Sequence, residues 1–137
     1  MTTRRQTLIA LPLLLPAWTG AQSATPHSAL HNAMQRARAL RDDAVRAGDQ
    51  PYGAVVLRGT QIAGEAPSRV VTAKDPTAHA EMEAMRDAAR KLGSRDLSGC
   101  ILVSTSRPCR MCESAASQAR IARMVHGDAL TDAGPPA

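Results

Sequence analysis

Two short motifs hold the residues whose types and spacing could do chemistry, His79-Ala80-Glu81 and Pro108-Cys109-Arg110-Met111-Cys112. One imidazole and two thiolates are a donor set for zinc at three corners of a tetrahedron. The fourth corner then stays open for water, which separates a catalytic zinc from a structural one. A zinc ion so held lowers the pKa of its water towards ~7, so a nucleophile is available at neutral pH. Glu81, two positions from the first donor, is free to move protons. Its carboxylate can take one from the attacking water and pass it to a ring nitrogen and then to a leaving amine, as general acid-base catalysis of a hydrolytic deamination requires. His-x-Glu alone is common by chance, and Pro-Cys-x-x-Cys alone also suits redox or structural metal sites. The ordered pair, thirty positions apart, carries the signal.

These residues need elements to position them. Leu30, Ala33, Met34, Ala37, Leu40 and Ala44 recur at helical spacing and predict a first helix over 28–47, with Arg36, Arg38, Arg41 and Arg46 as its solvated face. Gly48 and Pro51 end it. Residues 54–58 and 61–64 read as strands joined at Gly59-Thr60, a hairpin. Asp75-Pro76 predicts a helix start, with Ala78, Met82, Met85, Ala89 and Leu92 as the buried stripe and Gly93 as the stop. His79 and Glu81 would then lie in its first turns. A strand over 100–104 and a turn at Arg107-Pro108 lead to a third helix over 109–119. Both cysteines stand at its N-terminus, a placement that lowers thiol pKa values. A strand over 123–126 and a tail over 131–137 complete the order αββαβαβ. Cys100 reads as a buried strand residue, and His27, His31 and His126 as surface or packing residues.

Residues 1–24 read differently from the rest. Arg4-Arg5 precede an apolar run from Leu8 to Trp18, followed by small residues, the pattern of an export signal cleaved near Ala21 or Ala24. Thr3-Arg4-Arg5-Gln6-Thr7-Leu8 is similar to a twin-arginine signal, which carries already folded proteins and predicts a periplasmic location. The run is too short and proline-broken for a membrane span, so no anchor is expected. At 137 residues the chain predicts one domain over 25–130. Removing the signal lowers the net charge from +5 to +3, since two arginines and no acids leave. With Tyr52 then the only aromatic, stacking platforms for a polynucleotide are missing and nucleic acid is a disfavoured partner.

The two motifs match the zinc deaminase signature of H-x-E with P-C-x-x-C. The chain resembles the cytidine deaminase-like superfamily over about 29–127. Pro51-Tyr52-Gly53-Ala54-Val55-Val56, Asp75-Pro76-Thr77-Ala78-His79-Ala80-Glu81 and Pro108-Cys109-Arg110-Met111-Cys112 are most similar to its guanine deaminase and tRNA adenosine deaminase branch. The resemblance implies a three-layer α/β/α fold with a mixed sheet, C-terminally short. It implies Zn2+ on His79, Cys109 and Cys112, and Glu81 as proton shuttle. Substrate contacts fall at Ala54, Ser68, Ala80 and Pro108, with the amides of Ala80 and Cys109 against substrate or the attacking oxygen. It also implies a homodimer, and the alanine face of Ala115, Ala116 and Ala119 suits close helix packing.

Three positions depart from the family pattern. Ser68 stands where relatives usually have an asparagine that bonds the base or sugar. Arg107 replaces the glutamate common before Pro-Cys, and Arg110 follows Cys109, so the rim is more basic and an anionic substrate is conceivable. The sequence stops soon after Leu130, where relatives continue with a strand and helix that help close the pocket. The expected function is deamination of a small aminated purine or related heterocycle, guanine first, or of the nucleoside. The alternatives are a tRNA adenosine deaminase, a zinc-bound inactive relative, and a thiol-disulfide redox protein.

Overall fold

The computed structural model describes residues 25–137, so the export-signal reading of 1–24 lies outside the described residues. Helix α1 spans Pro26–Arg46, opened by Thr25 as N-cap and proline in its first turn. The turn chemistry just ahead of the apolar stripe starts it two residues before the expected point. Strands β1 (Gly53–Arg58) and β2 (Gln61–Pro67) form the expected hairpin. Helix α2 (Ala80–Leu92) has Glu81 and Glu83 in its first turn, Arg90 and Lys91 in its last, and Gly93 as a left-handed C-cap, each matched to the helix dipole or the chain reversal. Strand β3 (Cys100–Ser104), helix α3 (Arg110–Gln118) and strands β4 (Arg123–His126) and β5 (Thr131–Gly134) follow.

The sheet order is β2-β1-β3-β4-β5. Only the β3/β4 pair is parallel, with α3 as its crossover; the other three pairs are antiparallel. Alternation along the strands divides the core into two layers. Val55, Leu57, Val103 and Val125 face α1 through Ala33, Met34, Ala37 and Leu40. Ala54, Val56, Leu102 and Met124 face the opposite way, against Ala80, Ala84, Met85 and Ala88 of α2 and Ala116 of α3. This is the three-layer α/β/α arrangement with a mixed sheet.

Two glycines set how closely the helices lie on the sheet. A Cβ on Gly53 would stand 2.1 Å from the Ala37 carbonyl oxygen, and one on Gly64 would stand 2.3 Å from the Ala88 amide nitrogen. Backbone therefore packs on backbone, with alanines on the helix side.

The structure corrects two expectations. The Asp75-Pro76-Thr77 start is a separate turn: Asp75 Oδ1 accepts from the Thr77 amide (2.8 Å) and hydroxyl (2.7 Å), so the carboxylate serves its own turn. The helix begins at Ala80, and His79 becomes its N-cap. The expected tail contains β5, which makes the order αββαβαββ. Thr131-Asp132-Ala133-Gly134 has no apolar alternation, and the strand is held by backbone pairing with β4 and an Arg123–Asp132 ion pair. The alanines of α3 divide as well. Ala116 is buried in the chain's own core, while Ala115 and Ala119 line an apolar groove with Met82, Met85 and Leu97. Cys100 is buried in β3 as expected, and no described helix is long and apolar enough to cross a membrane.

Candidate metal centre and active site

Both helix starts on the α2/α3 side carry a donor where a cap would normally stand. His79 is the N-cap of α2 and Cys109 that of α3, each with extended backbone and neither making a side-chain cap hydrogen bond. Serine, threonine, aspartate or asparagine usually fill such positions by bonding the next amides. Here the side chains turn to each other instead. The His79 Nδ1 lies 3.7 Å from the Cys109 Sγ and 3.7 Å from the Cys112 Sγ, and the two sulfurs are 3.7 Å apart. Tetrahedral zinc with its usual bond lengths to sulfur and imidazole nitrogen sets S···S near ~3.8 Å and S···N near ~3.6 Å. The three atoms therefore fit such an ion without rearrangement. Both cysteines are free thiols.

The expectation that the helix N-terminus lowers both thiol pKa values fails at Cys112. Burial, reinforced by the Glu81 carboxylate and the Cys109 sulfur, pushes this thiol well above the ordinary range. A cation bound at the centre would reverse that balance, since coordination deprotonates a thiol outright.

Glu81 is 5% exposed. Burial raises its carboxyl pKa, against the opposing pull of its own amide, His79 and Cys112. It lines a 150 Å³ cleft with Tyr52, His79, Ser106, Arg107 and Cys109. The sheet puts Tyr52 beside Ser106: the Gly53 amide donates to the Thr105 hydroxyl (3.2 Å), and the Thr105 amide donates to the Gly53 carbonyl (3.0 Å). Sequence reasoning passed over Tyr52 and Ser106 as site residues. Tyr52 lay inside a quoted motif, whereas nothing local marked Ser106.

The expected substrate contacts are placed otherwise. Ala54 and Ala80 are fully buried core residues and Pro108 is buried, so what they can offer a substrate is backbone. Ser68 is 2% exposed, and its hydroxyl donates to Asp49 Oδ1 (2.9 Å). It does not line the cleft. Asp49 is the centre of a buried clamp, accepting also from the amides of Gln50 (2.8 Å), Val71 (3.1 Å) and Thr72 (2.8 Å) and from the Thr72 hydroxyl (2.8 Å). Burial alone would raise the Asp49 carboxyl, but bonds from Thr72, Gln50 and Ser68 outweigh it and hold the group far below the usual carboxylate range. The clamp fixes the start of the loop that delivers His79.

Two outcomes follow for the purified protein. It binds one Zn2+ per chain, and Cys112→Ser weakens binding by at least about a hundredfold in competition with a chromophoric chelator. Asp49 has a depressed folded pKa, so its stabilisation is present above the unfolded value near ~3.9 and is lost as pH falls below it. Asp49→Asn therefore costs about 2 kcal/mol or more at neutral pH, and urea titrations of the variant show a shallower loss of stability than wild type below about pH 4.

The profile for the cytidine and deoxycytidylate deaminase zinc-binding region matches residues 27–128. Guanine deaminase of Bacillus subtilis is 40% identical over 101 residues, which are 73% of this chain and 65% of that protein. Its crystal structure superposes with a TM-score of 0.68 at 38% identity, covering 71% of this chain and 62% of that one. The tRNA-specific adenosine deaminase of Aquifex aeolicus is 41% identical over 57% of this chain and 52% of its own length. A tRNA(Ile)-lysidine synthase of Deinococcus radiodurans is 42% identical over 87% of this chain, yet the match spans only 21% of that protein. The chain thus covers less than two thirds of each of these relatives. Its two motifs converge on one centre in a fold that superposes on that of the Bacillus protein, and the chain belongs to the family defined by the cytidine and deoxycytidylate deaminase zinc-binding region.

Proposed function

We propose that the protein is a hydrolytic deaminase of a small aminated purine or related heterocycle, guanine first, replacing an exocyclic amine by a carbonyl oxygen from water and releasing ammonia. The observation that carries this reading is the buried Glu81 carboxylate in the same cleft as the His79, Cys109 and Cys112 donor triangle. Zinc held by His79, Cys109 and Cys112 would supply Lewis acidity at this point of the cleft. The two cysteines, as thiolates, balance the cation's charge. Glu81 takes a proton from the attacking water and gives it to a ring nitrogen, then carries the proton left on the added oxygen to the departing amine as the carbonyl forms. Its burial favours the protonated form, which eases the delivery steps. The amides of Ala80 and Cys109, at helix starts where N–H groups have no intrahelical partner, are available to substrate oxygen or nitrogen. Tyr52 offers an aromatic face to the ring.

Location is part of the proposal. An exported protein, as residues 1–24 suggest, meets free bases and nucleosides in the periplasm rather than transfer RNA. The likeness to the Aquifex protein favours a second reading, deamination of adenosine in tRNA. A homodimer formed through the α2/α3 groove completes the proposal, and light scattering that returns a monomer removes that part.

Ammonia release is measured with zinc-verified protein over guanine, adenine, cytosine, their nucleosides, aminated pterins and an anticodon stem-loop. Guanine or a related ring is turned over, and Glu81→Gln lowers kcat by at least about a thousandfold with zinc content unchanged. Turnover of the stem-loop alone establishes the second reading. No ammonia with zinc bound points to an inactive relative or to a substrate outside this panel, and zinc-free protein with Cys109 joined to Cys112 points to thiol-disulfide chemistry.

A further inference from the structure

The rim of the cleft carries a charge that the chemistry above does not use. Among the described residues most arginines lie against a carboxylate, as Arg36 does on Glu65 (2.7 Å) and Arg38 on Asp128 (2.7 Å). Arg107 and Arg110 are exposed, flank Cys109, and have no carboxylate within 4.0 Å among the described residues. Arg107 lines the cleft directly, and Glu81 is the only acid in that lining. Ser106, beside it, accepts a bond from the Ser104 hydroxyl on its carbonyl oxygen (2.5 Å), while its own hydroxyl has no protein partner among the described residues. A guanidinium fork and a free hydroxyl thus stand together at one edge, with the Tyr52 ring in the same cleft.

We propose that Arg107 and Ser106 form a subsite for an anionic group, so that the substrate is an aminated heterocycle carrying a phosphate or a carboxylate. A guanidinium presents paired N–H donors in the plane that two anionic oxygens of one group require, and Ser106 adds a third donor. The 150 Å³ cleft is on the scale of a single small ring system, which puts the acidic substituent at its exposed edge, where Arg107 lies. The ring sits against Tyr52 with its amine towards Glu81. This orientation rests on the deaminase reading; the anion subsite itself does not.

The test separates the two. Zinc-loaded Glu81→Gln protein is titrated calorimetrically with guanosine and guanosine 5′-monophosphate, and with pterin and 6-carboxypterin, at low and high salt. The anionic member of at least one pair binds about tenfold more tightly than its neutral partner at low salt, and the pair that shows this names the acidic group. Adding Arg107→Ala brings the ratio to about one, whereas Arg58→Ala, at an exposed arginine at the far end of β1 from the cleft, leaves it in place. Equal binding within both pairs, no binding of any of the four, or a preference that survives Arg107→Ala overturns the subsite. So does an anticodon stem-loop that binds far more tightly than either anion with the same Arg107 dependence, since the cation would then serve a polynucleotide. Ammonia release by wild-type protein is read separately. Turnover of guanine without any anion preference discards the subsite and keeps the deaminase, and an Arg107-dependent preference without turnover does the reverse.

Discussion

Everything around the centre answers to one constraint: three donor atoms from two helix starts must stand 3.7 Å apart. Helix N-termini are electropositive and do not approach one another without a reason. This fold brings them together by giving up ordinary capping at both His79 and Cys109, a local sacrifice of about 0.5–2 kcal/mol per helix. What remains is a triangle of soft and borderline donors with a buried carboxylate beside it. Metal binding and folding are coupled in such an arrangement, because the donors meet only in the folded chain.

The tolerance on that triangle is met by backbone packing. Gly64 lets α2 rest on β2 with no side chain between, and Ala84 and Ala88 complete the contact. A larger residue at any of these positions would lift the helix and with it His79. On the other side of the sheet Gly53 does the same for α1, and its bonds to Thr105 bring the Tyr52 and Ser106 segments side by side. Asp49 fixes the remaining degree of freedom, the loop between β2 and α2. Its four hydrogen bonds to Ser68, Val71 and Thr72 convert an irregular segment into a rigid arm.

Much of this was legible in the residues. The apolar period of Leu30 to Ala44, the hairpin at Gly59-Thr60 and the Pro-Cys-x-x-Cys helix start are local patterns, and local patterns survive into the structure. The donor triangle was legible too, since donor chemistry restricts which residue types can serve. The start of α2 was misread because Asp75 can cap either a helix or its own turn, and packing of Ala78 into the core selects the turn. Strand β5 has no side-chain pattern to read. Ser68 was given to substrate although Asp49, nineteen positions earlier, claims its hydroxyl. Ser106 joins the cleft through a pairing that links Gly53 to Thr105, fifty-two positions apart. Contacts of that range are set by topology, which no short window contains.

The chain distances within the donor triangle also dictate an order of events during folding. Cys109 and Cys112 are three positions apart and become neighbours as soon as the first turn of α3 forms, whereas His79 is thirty positions from Cys109 and arrives only when α2 docks on the sheet. Local contacts form before those that require closing a long loop. For that interval the nascent protein carries a bare dithiol at a helix start, open to oxidation and to competing soft metals. The compartment in which the chain folds therefore decides which partner reaches the sulfurs before the imidazole does.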